Sequence, residues 1–112
     1  MKDRKLGVST ASCGRLDREV FSSYKEAGIQ ALEISLSPER TESLDAGEVL
    51  RLSGETGVEV WSFHLPFYPF ETNNIASPDK DIRKNSVLLQ SVYIKKAALT
   101  GAKIAVIHPI AE

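Results

Sequence analysis

The sequence predicts an α/β fold in which four parallel strands alternate with three helices, in the order βαβαβαβ. Two observations carry that reading. Short apolar segments of strand length are separated by longer segments whose apolar residues recur at helical spacing. Each helical segment also closes on a glycine, Gly28, Gly57 or Gly101. Connections of helix length between consecutive strands demand parallel pairing and right-handed crossovers, with the helices layered on a face of the sheet. At 112 residues the chain is expected to form a single domain, residues 1–112, with one core.

The first strand is read over KLGVST, Lys5 to Thr10, ending in a Ser/Cys/Gly loop. The first helix follows in RLDREVFSSYKEAG, where Asp17 supplies an N-cap carboxylate and Leu16 and Phe21 stand at the positions of a hydrophobic staple. QALEISL, Gln30 to Leu36, is the second strand, and the second helix is placed between Ser43 and Thr56 with Leu44, Val49 and Leu52 toward the core. VEVWSFHL, Val58 to Leu65, is the third strand. A longer loop leads to SPDKD, where Ser77 is read as N-cap, Pro78 as the first helical residue and Asp79 as a charge suited to the positive helix end. That helix runs to about Thr100 with Ile82, Leu89, Val92 and Tyr93 toward the core, and AKIAVIHPI, Ala102 to Ile110, is the fourth strand.

Composition narrows the function classes. Hydrophobic residues make up 42% of the chain and charged residues 26%, the balance of an ordinary globular domain. Fourteen basic side chains against fifteen acidic ones leave a net charge of -1, which argues against a nucleic-acid partner because no excess of cations is available to neutralise phosphates. The basic tip KDRK, Lys2 to Lys5, reads as a solvated terminus. No apolar run approaches the ~20 residues of a membrane span, and the start does not resemble a signal-peptide core, so no membrane partner and a cytoplasmic location are expected. Cys13 is the only cysteine, which excludes an internal disulfide and an all-cysteine metal cluster; it reads as a loop thiol. The first strand-to-helix turn, STASCGRLD, has neither G-x-G-x-x-G nor a phosphate-loop lysine. Of the two architectures open to this pattern, half of a TIM-type (β/α)8 barrel is therefore favoured over a nucleotide-binding doubly wound sheet.

Strand alternation assigns side chains to faces. Val58, Val60, Ser62 and His64 are placed on one face of the third strand, with Glu59, Trp61, Phe63 and Leu65 on the other. Ile104, Val106 and His108 share a face of the fourth, and Ala31, Glu33 and Ser35 share a face of the second, opposite Leu32, Ile34 and Leu36. With helices on the bulkier faces, Glu33, Ser62, His64 and His108 point to the barrel interior. Both histidines then stand at the carboxyl ends of their strands, where parallel α/β folds build their pockets. A strand spacing of ~4.8 Å lets the two histidines hold one ion or one substrate group, the plainer alternative being two hydrogen-bonded structural residues. A carboxylate at Glu33, between Leu32 and Ile34, must be paired, bind metal or face a wet cavity; its structural alternative is a salt bridge to Lys5 or Arg15. Phe67 and Tyr68, beyond the strand end, are candidates for stacking on a sugar ring. Trp61 and Phe63 are read as packing beneath a helix, and Lys103 as a solvated stem.

FHLPF (Phe63 to Phe67), N-x-x-SPD-x-x-x-R-x-x-S (Asn74 to Ser86), L-x-GA-K (Leu99 to Lys103) and V-I-H-P (Val106 to Pro109) follow one another along the chain. Taken in that order they resemble the xylose isomerase-like (β/α)8 superfamily, which includes sugar-phosphate isomerases and epimerases and the endonuclease IV group. LGVST and ALEIS resemble its first two units. The resemblance implies an isomerase or epimerase that depends on a divalent metal (Zn, Mn or Mg) and moves a proton between adjacent carbons of a sugar or sugar phosphate. It implies zinc ligation by His64 and His108 in the endonuclease branch, substrate contact at the same positions in the epimerase branch, and Glu33 as a polar wall near the substrate. It assigns the metal-binding carboxylates to strands five to eight, and a full barrel takes ~250 residues. Four expectations follow from this: a fragment lacking the metal-binding C-terminal half of such an enzyme; a homo-oligomer in which two half-barrels close one sheet; a non-catalytic binding or assembly module; or an endonuclease IV-like zinc nuclease fragment. No catalytic residue is assigned.

Overall fold

The structure, a computed structural model, describes residues 4–109. Lys2 and Asp3 of the basic tip and Ile110 at the end of the expected fourth strand lie outside the described residues. Strands β1 (Gly7–Ser9), β2 (Ala31–Ser35), β3 (Glu59–His64) and β4 (Ile104–Val106) form one parallel sheet in the order β1-β2-β3-β4. Helices α1 (Arg18–Glu26), α2 (Pro38–Ser43), α3 (Ala46–Thr56) and α4 (Lys80–Leu99) make the crossovers. Each strand lies beside its predecessor without a reversal of order, which is the arrangement of half a barrel rather than of a doubly wound sheet.

Several boundaries move, each for a local reason. β1 stops at Ser9, whose hydroxyl accepts from the Ala11 amide and opens a 3₁₀ turn over Thr10–Ser12. Thr10 then completes the pairing by side chain: its Oγ1 accepts from the Ser35 amide at 2.8 Å and donates to the Ser35 carbonyl at 3.1 Å. α1 follows its sequence signals, with the Asp17 carboxylate accepting from the Val20 amide at 3.0 Å and Leu16 packing on the core that holds Phe21. The second expected helix is α3, capped by Asp45, which accepts from the Glu48 amide at 3.0 Å. A further helix that was not expected, α2, precedes it, capped by Ser37 and opening on Pro38. The Ser-Pro-acid signal before α2 is the same one that the sequence shows before α4. At α4 the cap is Asp79 rather than Ser77, because the Ser77 hydroxyl is occupied by the Asp79 amide; Pro78 therefore precedes the helix instead of opening it. β4 is three residues long, so His108 lies just beyond its end.

The core lies between the helices and one face of the sheet. Val20, Phe21 and Tyr24 of α1, Val49 and Leu52 of α3, and Tyr93 and Ala97 of α4 pack on Leu32, Ile34, Val60 and Phe63, with Val58 and Leu65 at either end of β3. The alternation expected along β3 is broken once. Leu32 pairs with Val60 but Glu33 pairs with Ser62, so Trp61 is an inserted residue. Such a bulge exchanges the faces on either side of it. Val58 and Val60 thus join Phe63 and Leu65 in the core, while Glu59 and Trp61 turn to the face carrying Ser62 and His64. The expectation that Val58 and Val60 face the interior, and that Trp61 packs beneath a helix, is overturned: Trp61 is 43% exposed, whereas Phe63 is fully buried.

On α4 one expected core residue is corrected: Tyr93 is buried and Leu89 packs on the core, but Val92 faces outward. The buried residues of this helix are Ser86, Gln90, Tyr93 and Ala97, whereas Val92 is 60% exposed together with Val87, Leu88 and Leu99. These exposed apolar side chains stand among the exposed charges Lys80, Asp81, Arg83, Lys84 and Lys95. No helix among the described residues is long and apolar enough to cross a membrane.

The bulge sets an order of sensitivities. Phe63→Ala is expected to cost about 3–5 kcal/mol of stability, and Trp61→Ala about 1 kcal/mol or less, in urea unfolding followed by circular dichroism. Equal losses would contradict the exposure of Trp61 on the open face.

Candidate functional site

The face of the sheet away from the helices carries a hollow of about 690 Å³, lined by Gly7 and Ser9 of β1, Ala31 and Glu33 of β2, Trp61 and Ser62 of β3, and Lys5 at its base. Because parallel strands all run the same way, this face has a chemical polarity. Glu59 lies at its base and His64 at its mouth, five residues and about 16 Å apart along β3.

At the base, Glu59 accepts from Lys103 Nζ at 2.8 Å and from Lys5 Nζ, and both ammonium groups lie over the Trp61 ring, 4.9 Å and 5.8 Å from its centroid. The hydrogen bond from Lys103 and then that from Lys5 hold the Glu59 carboxyl down at about 2. One carboxylate thereby ties the segment before β1 and the segment before β4 to β3. Lys103 is not the free stem that its sequence context suggests, and Lys5 is engaged here rather than at Glu33.

Midway up the face, Glu33 accepts from Ser62 Oγ at 2.8 Å. Neither proposed cation reaches it, since Lys5 bonds Glu59 and Arg15 bonds Asp17 and Glu19. Its carboxylate lies on the hollow, solvated and oriented by a hydroxyl.

At the mouth the two histidines meet. In the ladder His64 pairs with Val106, and His108 lies two residues farther along on the same face. The rings nevertheless lean together until Nε2 of one is 2.9 Å from Nε2 of the other. With one ring protonated at Nε2 and the other bare, this is a hydrogen bond. With both bare, the two lone pairs converge on one point. Two nitrogens on a tetrahedral ion at 2.0–2.1 Å are about 3.3 Å apart, so a small opening of the pair admits a metal. Imidazole donors suit zinc better than magnesium. Among the described residues no group of three or more His, Cys, Asp or Glu converges on one point.

Phe67 closes the mouth. Its ring stacks on His108 with centroids 4.3 Å apart and planes at 21°, and meets His64 edge-on at 5.6 Å. Tyr68 packs edge-on against Phe67 at 5.5 Å and remains half-exposed. The structure therefore brings His64, His108, Phe67 and Tyr68 into one cluster and sets Glu33 below it. Cys13 lies apart from this cluster, an exposed thiol whose Sγ is 3.5 Å from Tyr24 Oη; burial pushes the Tyr24 hydroxyl up to about 12. Sequence reasoning missed Trp61 and the Lys5–Glu59–Lys103 group on this face. The only signal available was two lysines and a glutamate at the starts of three strands, which alternation assigned elsewhere.

No family model matches the chain, and no curated protein matches it. Nine chains of solved structure do match. One of them, a xylose isomerase-like TIM barrel/4-hydroxyphenylpyruvate dioxygenase fusion protein, superposes with a TM-score of 0.67 over 91% of this chain at 16% identity. This chain spans 16% of that protein's length. The likeness is one of fold, a parallel α/β sheet consistent with half of a TIM barrel.

Because the Glu59 carboxyl is lowered from 4.5 to about 2, its contribution to stability is complete above pH 4.5 and is lost as pH falls toward 2. Wild-type urea midpoints are expected to fall more steeply across that window than those of Glu59→Gln, and the difference should shrink in molar salt, because the bridge is exposed and screened. Parallel curves for the two proteins would contradict the bridge.

Proposed function

We propose that the mouth of this sheet is part of a sugar or sugar-phosphate site in a protein of the isomerase/epimerase type. The observation that carries the reading is the approach of His64 Nε2 and His108 Nε2 to 2.9 Å at the carboxyl ends of adjacent parallel strands, beneath the Phe67 ring. Two imidazoles at that spacing can donate to and accept from neighbouring hydroxyls. Phe67 and Tyr68 offer the aromatic surface that the apolar face of a sugar ring requires, and Glu33 supplies an acceptor deeper in the hollow.

Shifting a proton between adjacent carbons needs an acid–base group and an electrophile at the carbonyl. A divalent metal held by His64 and His108 with further ligands would polarise the carbonyl and hydroxyl oxygens. The residues of this chain bind and orient: the histidines fix hydroxyl groups, Phe67 limits rotation of the His108 ring, and the Ser62 hydroxyl holds the Glu33 carboxylate toward the hollow. The remaining ligands and the proton-transferring carboxylates come from further strands that complete the barrel, contributed by a second copy or by another half. The exposed Val87, Leu88, Val92, Ile94 and Leu99 of α4 support such an association, as apolar surface that a neighbouring element could cover. The same side chains also support a second reading, a half-barrel assembly module without catalysis.

Titrating a panel of ketoses and their phosphates, with zinc present, against isotope-labelled protein tests the proposal. The imidazole signals of His64 and His108 and the ring signals of Phe67 and Tyr68 are expected to move, and His64→Ala or His108→Ala to weaken the ligand about tenfold, the loss of one hydrogen bond. Binding that both substitutions leave intact would overturn the site. Sedimentation of the same samples separates the two readings: an associated species that binds no sugar supports the assembly module.

A further inference from the structure

The loop between β3 and α4 carries Phe67 and has no regular secondary structure from Leu65 to Asp79, yet the Phe67 ring is held flat against His108. What fixes the loop lies ten residues inside α4. The Pro66 carbonyl, one peptide before Phe67, accepts from Asn73 Nδ2 at 3.1 Å and from Gln90 Nε2 at 3.2 Å. Gln90 Nε2 also donates to Asn73 Oδ1 at 2.8 Å, so the two amides and the carbonyl form a closed triangle. Asn73 is 4% exposed and Gln90 6%.

Three features set this triangle apart from ordinary packing. Gln90 occupies the core-facing side of α4 between Ser86 and Tyr93, where an apolar residue would satisfy packing alone. The orientation of its amide is dictated: both neighbours of Nε2 are acceptors, so the nitrogen must face them. Its Oε1 is then left buried without a partner among the described residues, a cost retained for the sake of the two bonds on the other side. Ser86, one turn earlier, anchors a different part of the loop by accepting from the Asn74 amide at 2.7 Å, while its one proton has the Ile82 carbonyl at 2.7 Å and the Thr72 carbonyl at 3.3 Å as acceptors.

We infer that Asn73 and Gln90 are positioning residues: by gripping the Pro66 carbonyl they hold Phe67 stacked on His108 and so set the orientation of the histidine pair. For its purpose this rests on the reading of the mouth as a binding site, but the geometry does not depend on any ligand.

The test is therefore made on the ligand-free protein. A ring stacked at this distance displaces the imidazole C–H proton signals of His108 upfield, and Phe67→Leu gives their position without the ring. In Gln90→Met, which keeps length and apolar packing but loses the amide, and in Asn73→Ala, these signals are expected to move more than halfway to the Phe67→Leu position, while the ring signals of Phe21 and Tyr93 stay in place. His108 signals at their wild-type position in either folded variant would overturn the assignment. Loss of folding in both would overturn it as well, because the amides would then be general supports of the core. Failure of the sugar titration leaves this result standing, and failure here leaves the titration standing.

Discussion

Between Leu32 and Glu33 the β2–β3 ladder takes up one extra residue, Trp61, and every side chain of β3 is sorted by that step. Below it, Val58 and Val60 face the helices. Above it, Phe63 and Leu65 do so, and Ser62 and His64 are released to the open face. An unbroken alternation would force a choice, since His64 toward the mouth would bring Val58 and Val60 with it and bury Glu59 and Trp61 under α3 and α4. Burying an unpaired carboxylate there would cost several kcal/mol. The bulge lets one six-residue strand contribute to the core along its whole length while still presenting polar groups on the opposite side.

The open face is graded as a result. At its base, one carboxylate between two ammonium groups joins the outer strands to β3 through Glu59, with the Trp61 ring beneath both cations. In the middle a single carboxylate is steered by a hydroxyl. At the mouth, two imidazoles and a phenyl ring are held by amides reaching from the far side of the loop. Structural pairing is concentrated at the amino ends of the strands. The imidazoles and aromatic rings are concentrated at the carboxyl ends, beside the connecting loops.

Much of this was legible in the sequence because it rests on local chemistry. Helix spacing and terminal glycines gave the strand–helix order, Asp17 and its staple fixed α1, and the period of β2 placed Glu33 on the open face. The two histidines were expected on one face, and they lie there, because both stand above the bulge. What was not legible depends on tertiary competition. Trp61 carries no mark of insertion, since an aromatic residue in an apolar strand reads as core. Ser77 and Asp79 are both capable caps, and their mutual hydrogen bond decides between them. Ser86 and Gln90 carry no sequence mark of burial, and only the loop folding back onto α4 gives their polar groups buried partners. Val92 reads as core from its apolar character, yet it lies outside the arc that Leu89 and Tyr93 occupy.

The central claim is that the step at Trp61 turns His64 away from the helices and against His108. A nuclear Overhauser spectrum of the aromatic protons tests it most directly. The account predicts cross-peaks from the His64 imidazole to His108 and Phe67. Cross-peaks from His64 to Tyr93 and Ala97 of α4 instead would place the histidine on the helix side of the sheet and contradict the account.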